Sequence, residues 1–138
     1  MKGSLECLKL DFTEIERPTD EEILGFLKHL SNLELLKTLH LKEAGKPLTD
    51  YFLKNLSFRL SFLLDLSDLQ LNFLRTEQIT NEGLRNLSKG LSMTKKLVHL
   101  DLYFDLLPEV SNSSIQAFCY GLKTLGNIKS LNLYFAEF

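Results

Sequence analysis

Asp68, His99 and Ser130 stand 31 residues apart, an acid, a base and a hydroxyl nucleophile in that order. Together these are the residue types of a hydrolytic relay, in which the base takes the hydroxyl proton and the acid orients the base. Their spacing argues against that chemistry, because the same period runs through the whole chain and puts the three in one column of successive strands. Acyl transfer also needs a pair of free backbone N–H donors for the oxyanion, and residues paired in a sheet offer none there. The row is therefore read as polar side chains at solvent positions, and no enzyme activity is expected. Other chemistry is thin. His29, His40 and His99 lack the spacing of metal ligands, so no metal is expected. No Gly-rich phosphate loop precedes a helix, so no cofactor is expected. Cys7 and Cys119 fall in the first and fourth periods. Strands about 4.8 Å apart would hold them more than about 10 Å from each other, beyond the reach of a disulfide.

The period itself is the stronger signal. Segments beginning at Leu5, Leu66, Leu97 and Ile128 share an apolar pattern, L-x-x-L-x-L-x-F, with isoleucine opening the last. A fifth, beginning at Leu36, keeps the spacing but has Glu43 where the others have phenylalanine. Starts at 5, 36, 66, 97 and 128 give intervals of 31, 30, 31 and 31. Alternation by two predicts a strand with its leucines inward, continued by Phe12, Phe73, Phe104 and Phe135 as an interior ladder. The one-residue deletion in the second unit falls in 42–47. It reads either as drift in a surface loop or as a loop reshaped for a partner.

Between strands, Thr49-Asp50, Thr80-Asn81 and Ser111-Asn112 align, with Thr19-Asp20 in the first unit. A hydroxyl here accepts a backbone N–H and starts a helix, and Thr19 with Glu22 has the spacing of a capping box. Three apolar columns follow at helical spacing: Ile23, Leu53, Leu84 and Ile115; Phe26, Leu56, Leu87 and Phe118; Leu30, Leu60, Leu91 and Leu122. Gly25, Gly83, Gly90 and Gly121 fall inside these helices and suit close packing. Each unit thus reads strand, loop, helix, turn. Because a helix returns the chain every time, the strands run parallel.

The strand motif and its long helical arm resemble the leucine-rich repeats of the ribonuclease-inhibitor-like class. The resemblance spans Leu5 to Phe135, as four full repeats plus a fifth strand in one domain over residues 1–138. One position departs from the family: the asparagine usual three residues after the last strand leucine is Thr13, Ala44, Leu74, Asp105 and Ala136 here. In the family that asparagine bonds backbone across repeats, and phenylalanine packing is the expected substitute. The resemblance implies an α/β solenoid, a horseshoe segment with its parallel sheet on the concave face and helices on the convex face. It also implies protein binding as the usual activity.

On the concave face the positions between inward leucines face solvent. The candidates for protein contact are His40, Lys42, Gln70, Asn72, His99, Asp101, Tyr103, Asn132 and Tyr134. Tyr103 and Tyr134 would lie side by side near His99. They read either as binding anchors of large contact area or as like aromatics packed across strands. In the loop 105–109, Leu106 and Leu107 either tuck under against the core or offer an apolar contact.

Composition narrows the partner classes. A net charge of −2 shows no basic footprint, so nucleic acid is not expected. The most apolar stretch, 56–69, is broken by Arg59, Asp65 and Asp68, so no membrane span is expected. Glu6, Lys9 and Asp11 come too early for a secretory leader, which points to an intracellular, cytoplasmic protein. The expected role is a non-enzymatic interaction module or scaffold. An accessory subunit of a multi-subunit assembly, held through ends that carry no polar cap, is the alternative. A small-GTPase regulator with Arg75 as a contact is a third reading.

Overall fold

The structure, a computed structural model, describes residues 4–13, 20–43 and 48–136. Five strands alternate with four helices. The strands are β1 (Cys7–Asp11), β2 (Thr38–Glu43), β3 (Asp68–Phe73), β4 (His99–Phe104) and β5 (Ser130–Phe135). The helices are α1 (Asp20–Leu30), α2 (Asp50–Leu60), α3 (Asn81–Ser92) and α4 (Asn112–Gly121), the last extended by a short 3-10 turn over Leu122–Thr124. The strands form one parallel sheet in chain order, as a helical return after every strand requires. Register follows the period residue for residue: Leu8, Leu39, Leu69, Leu100 and Leu131 form one line across the sheet.

One face of the sheet packs against the helices. In β2, β3 and β4 inward residues are buried and outward ones half-buried or exposed, strictly in alternation. Leu39, Leu69 and Leu71 are fully buried, and the helix columns meet them from above through Leu53, Leu56, Leu60, Leu84, Leu87 and Leu91. The phenylalanine ladder forms. Phe73 stacks on Phe104 at 5.6 Å, and Phe104 on Phe135 at 5.6 Å. A helical phenylalanine also meets the ladder edge-on in three units: Phe26 against Phe12, Phe52 against Phe73, and Phe118 against Phe135. Glu43 occupies the ladder position beside Phe73 and, like it, is buried.

The helix starts follow from the hydroxyls. Thr49 accepts from Phe52 N at 3.3 Å, Thr80 from Glu82 N at 3.2 Å and Ser111 from Ser114 N at 3.2 Å. The Thr19 cap and the shortened loop at 44–47 lie outside the described residues. Gly90 has a specific steric cause: a Cβ there would come within 2.7 Å of Ser57 Cα, so α2 and α3 approach backbone to backbone. Gly83 is similarly closed in by Asp50, whereas a Cβ on Gly25 would meet nothing within 4 Å.

Candidate functional site

The nine candidates for contact converge on the face of the sheet that the helices leave open. Three columns cross it in register. The first is Cys7, Thr38, Asp68, His99 and Ser130; the second is Lys9, His40, Gln70, Asp101 and Asn132; the third is Asp11, Lys42, Asn72, Tyr103 and Tyr134. In-register neighbours across strands interact directly. Gln70 Nε2 donates to Asp101 Oδ2 at 3.2 Å. The Tyr103 and Tyr134 rings are parallel within 2° with centroids 4.4 Å apart. Tyr103 is half-buried and its hydroxyl donates to Asp105 Oδ1 at 3.4 Å. Partial burial of the phenol, and then the Asp105 carboxylate, raise its pKa above the usual 10.0.

The acid–base–nucleophile row is adjacent in register but not wired. Asp68 faces His40 instead, with Nε2 at 3.2 Å from Oδ1, off the line of a hydrogen bond. Among the described residues no hydrogen bond joins Asp68 to His99 or His99 to Ser130. Beside His40 lies a shallow depression of ≈ 250 Å³ floored by Leu10 and Leu41 and edged by Lys9, Lys42 and Asn72. Asn72 Oδ1 is buried there without a hydrogen-bond donor.

The loop after β4 decides between the two readings of Leu107, against the partner contact. Leu107 is completely buried and belongs to the core, so it offers no contact to a partner. It sits one period after Thr76, and both positions point inward from the strand-to-helix loop. Leu106 is half-buried, and its peptide is clasped by Thr76: the Thr76 hydroxyl accepts from Leu106 N at 3.0 Å and donates to Leu106 O. Arg75 is tied to its own loop, with Nη2 and Nε donating to Glu77 Oε1 at 2.7 and 3.0 Å. That hydrogen bond holds the Glu77 carboxyl below the usual carboxylate range.

Two sets of bonds across units were not foreseen. Asp50 accepts from Thr80 N at 2.9 Å and from the Thr80 hydroxyl, 30 residues on. Asn81 accepts from Ser111 N at 2.9 Å, again 30 residues on. The signal was present as an Asp or Asn recurring after each capping hydroxyl, a side chain its own helix cap does not need. Thr76 had no such signal, since its hydroxyl occurs at that position once.

Among the described residues no group of His, Cys, Asp and Glu could hold a metal ion. No helix among them is long and apolar enough to cross a membrane. Cys7 and Cys119 are both exposed free thiols.

No protein-family profile matches the chain, and no curated protein matches it. Among solved structures it is similar to one described as "Leiomodin-1 Actin-Binding Site 2 (ABS2)", with a TM-score of 0.69 and 16% identity. The match covers 93% of this chain and 70% of that one. A likeness at this identity establishes the fold: α/β, with a five-stranded parallel sheet and four helices.

Proposed function

We propose that the chain is a leucine-rich-repeat solenoid of the ribonuclease-inhibitor-like kind, acting as a non-enzymatic protein-binding module through its open sheet face. The observation that carries this reading is the Tyr103–Tyr134 stack. Two rings 4.4 Å apart stand on an open face, with polar columns beside them and no helix over them. Stiff aromatic rings give contact area at low entropic cost, which is why tyrosine dominates the energetics of interfaces. The solved neighbour is described as an actin-binding site, so a protein with this kind of fold is known by its protein contacts.

A second reading, a subunit within a large assembly, draws on β5. Leu131 is 47% exposed although its in-register partner Leu100 is buried, so this flank has apolar surface for another polypeptide to cover. One experiment separates the two. The tagged chain and its Tyr103→Ala/Tyr134→Ala variant are purified from the native cell and the co-purifying proteins identified. Loss of a partner in the variant supports the open face. A stoichiometric set of partners retained by the variant supports the β5 flank. A variant and wild type that both come through without partners sink both readings.

A further inference from the structure

The net charge of −2 hides a strong segregation of charge. Where each of the last three helices turns back toward a strand, the segments 57–67, 88–98 and 119–129 carry Arg59, Lys89, Lys95, Lys96, Lys123 and Lys129. They contain one carboxylate, Asp65, which Lys96 already engages at 2.6 Å. The opposite rim, where strands lead into helices, is mixed but leans acidic, with Glu77, Glu82, Asp105 and Glu109 against Arg75, which Glu77 engages at 2.7 Å. The basic rim also exposes large apolar side chains: Phe58 at 56%, Phe62 at 48%, Leu64 at 61%, Met93 at 51% and Tyr120 at 70%. Clustered exposure of this kind is uncommon on a soluble surface unless something covers it.

We propose that this rim is a docking surface for an anionic lipid membrane, on which the protein lies peripherally. Three observations favour a membrane over other anionic partners. Phe62 and Met93 stand one period apart at the tips of consecutive turns, and Leu64 lies two residues beyond Phe62. Phe58 and Lys89 line the depression between α2 and α3, but Phe62, Leu64 and Met93 lie outside it and stay exposed, with Phe62 set edge-on against Phe58 at 5.2 Å. Cations also sit directly over exposed rings: the Arg59 guanidinium is 5.3 Å from the centre of Phe58, and Lys123 Nζ is 4.9 Å from that of Tyr120. Such pairing suits a headgroup boundary, where the stem and ring enter the apolar layer while the charge meets phosphate. A nucleic acid would use the cations but leave Leu64 and Met93 in water.

The test is co-sedimentation of the chain with vesicles of phosphatidylcholine containing about 30% phosphatidylserine, each basic residue near such a surface adding roughly fivefold to binding. Wild type should bind these vesicles, bind pure phosphatidylcholine at least about tenfold less, and release as salt rises toward about 0.5 M. Lys89→Glu, Lys95→Glu and Lys129→Glu together should abolish binding. Phe62→Ser with Leu64→Ser should weaken it about tenfold, each lost side chain withdrawing its apolar burial. All five positions are exposed, so thermal melts should show these variants folded. Tyr103→Ala should bind vesicles as wild type does, which separates this rim from the open sheet face. Failure of the folded wild type to bind anionic vesicles overturns the proposal. So does binding indifferent to Phe62→Ser and Leu64→Ser, or a preference for duplex DNA or polyglutamate over the vesicles, either of which assigns the rim to another polyanion.

Discussion

Thr76 shows how one side chain can tie two neighbouring loops together. The loop after β3 is clasped to the next one by the Thr76 hydroxyl, which serves both the N–H and the carbonyl of Leu106. Thr76 is completely buried and its bonds to Leu106 are partly buried, which limits how far water can take over if the hydroxyl is removed. Thr76→Val keeps the shape and leaves two backbone groups unpaired. It should cost about 2–3 kcal/mol, read as a lower urea midpoint at unchanged slope. A loss below about 0.5 kcal/mol would mean that the clasp contributes little. Residues of this kind were the least legible in the sequence. A lone hydroxyl in a loop has no periodicity to betray it, and Leu106 and Leu107 could not be ranked for burial by type alone. The leucine columns were legible because burial acts on every unit alike and leaves the same residue at the same step. Glu43 illustrates the limit: its spacing placed it in the phenylalanine column, but nothing in its type announced that it is buried there.

At the scale of elements, α2 and α3 pack backbone to backbone. Gly90 faces the Ser57 backbone with no room for a methyl group, and Ser57 turns its own hydroxyl back to Leu53 O at 2.6 Å. Helical glycine ordinarily weakens a helix by up to about 1 kcal/mol relative to alanine. Here that loss is offset by what the close approach permits. Gly90→Ala should therefore destabilise by about 1–3 kcal/mol through overpacking, despite alanine's better propensity. Gly25→Ala is the control, since its site is open. It should stabilise by about 0.5–1 kcal/mol. Both are read from denaturant melts, and equal signs would refute the packing argument. The element boundaries were legible because capping hydroxyls and apolar columns recur together. That Gly83, Gly90 and Gly121 pack closely was readable from their places in the helices, but not which neighbour each one meets, and Gly25, expected to pack as well, faces open space.

For the whole molecule, the two side-chain links between successive helix starts run the same way. Asp50 at the start of α2 holds Thr80 at the start of α3, and Asn81 of α3 holds Ser111 of α4. The cap of each of these later helices is secured by the helix before it. A chain ending after β4 keeps the Asp50–Thr80 bond, whereas a chain beginning at β3 lacks it. Hydrogen exchange at the Thr80 amide should therefore be protected in the first and fast in the second, and equal protection in both would show that the bond does not set local stability. The single charge total concealed a comparable polarity between the two rims, because summing over the chain erases position. The one-way clasps also bear on how the protein is made. A polypeptide leaves the ribosome amino end first, and domains tend to form in that order. As Thr80 and then Ser111 emerge, the carboxylate and the amide that will receive them have already been synthesised. Biosynthesis and the hydrogen-bond direction agree, so α3 and α4 are each started by a template that arrived before them.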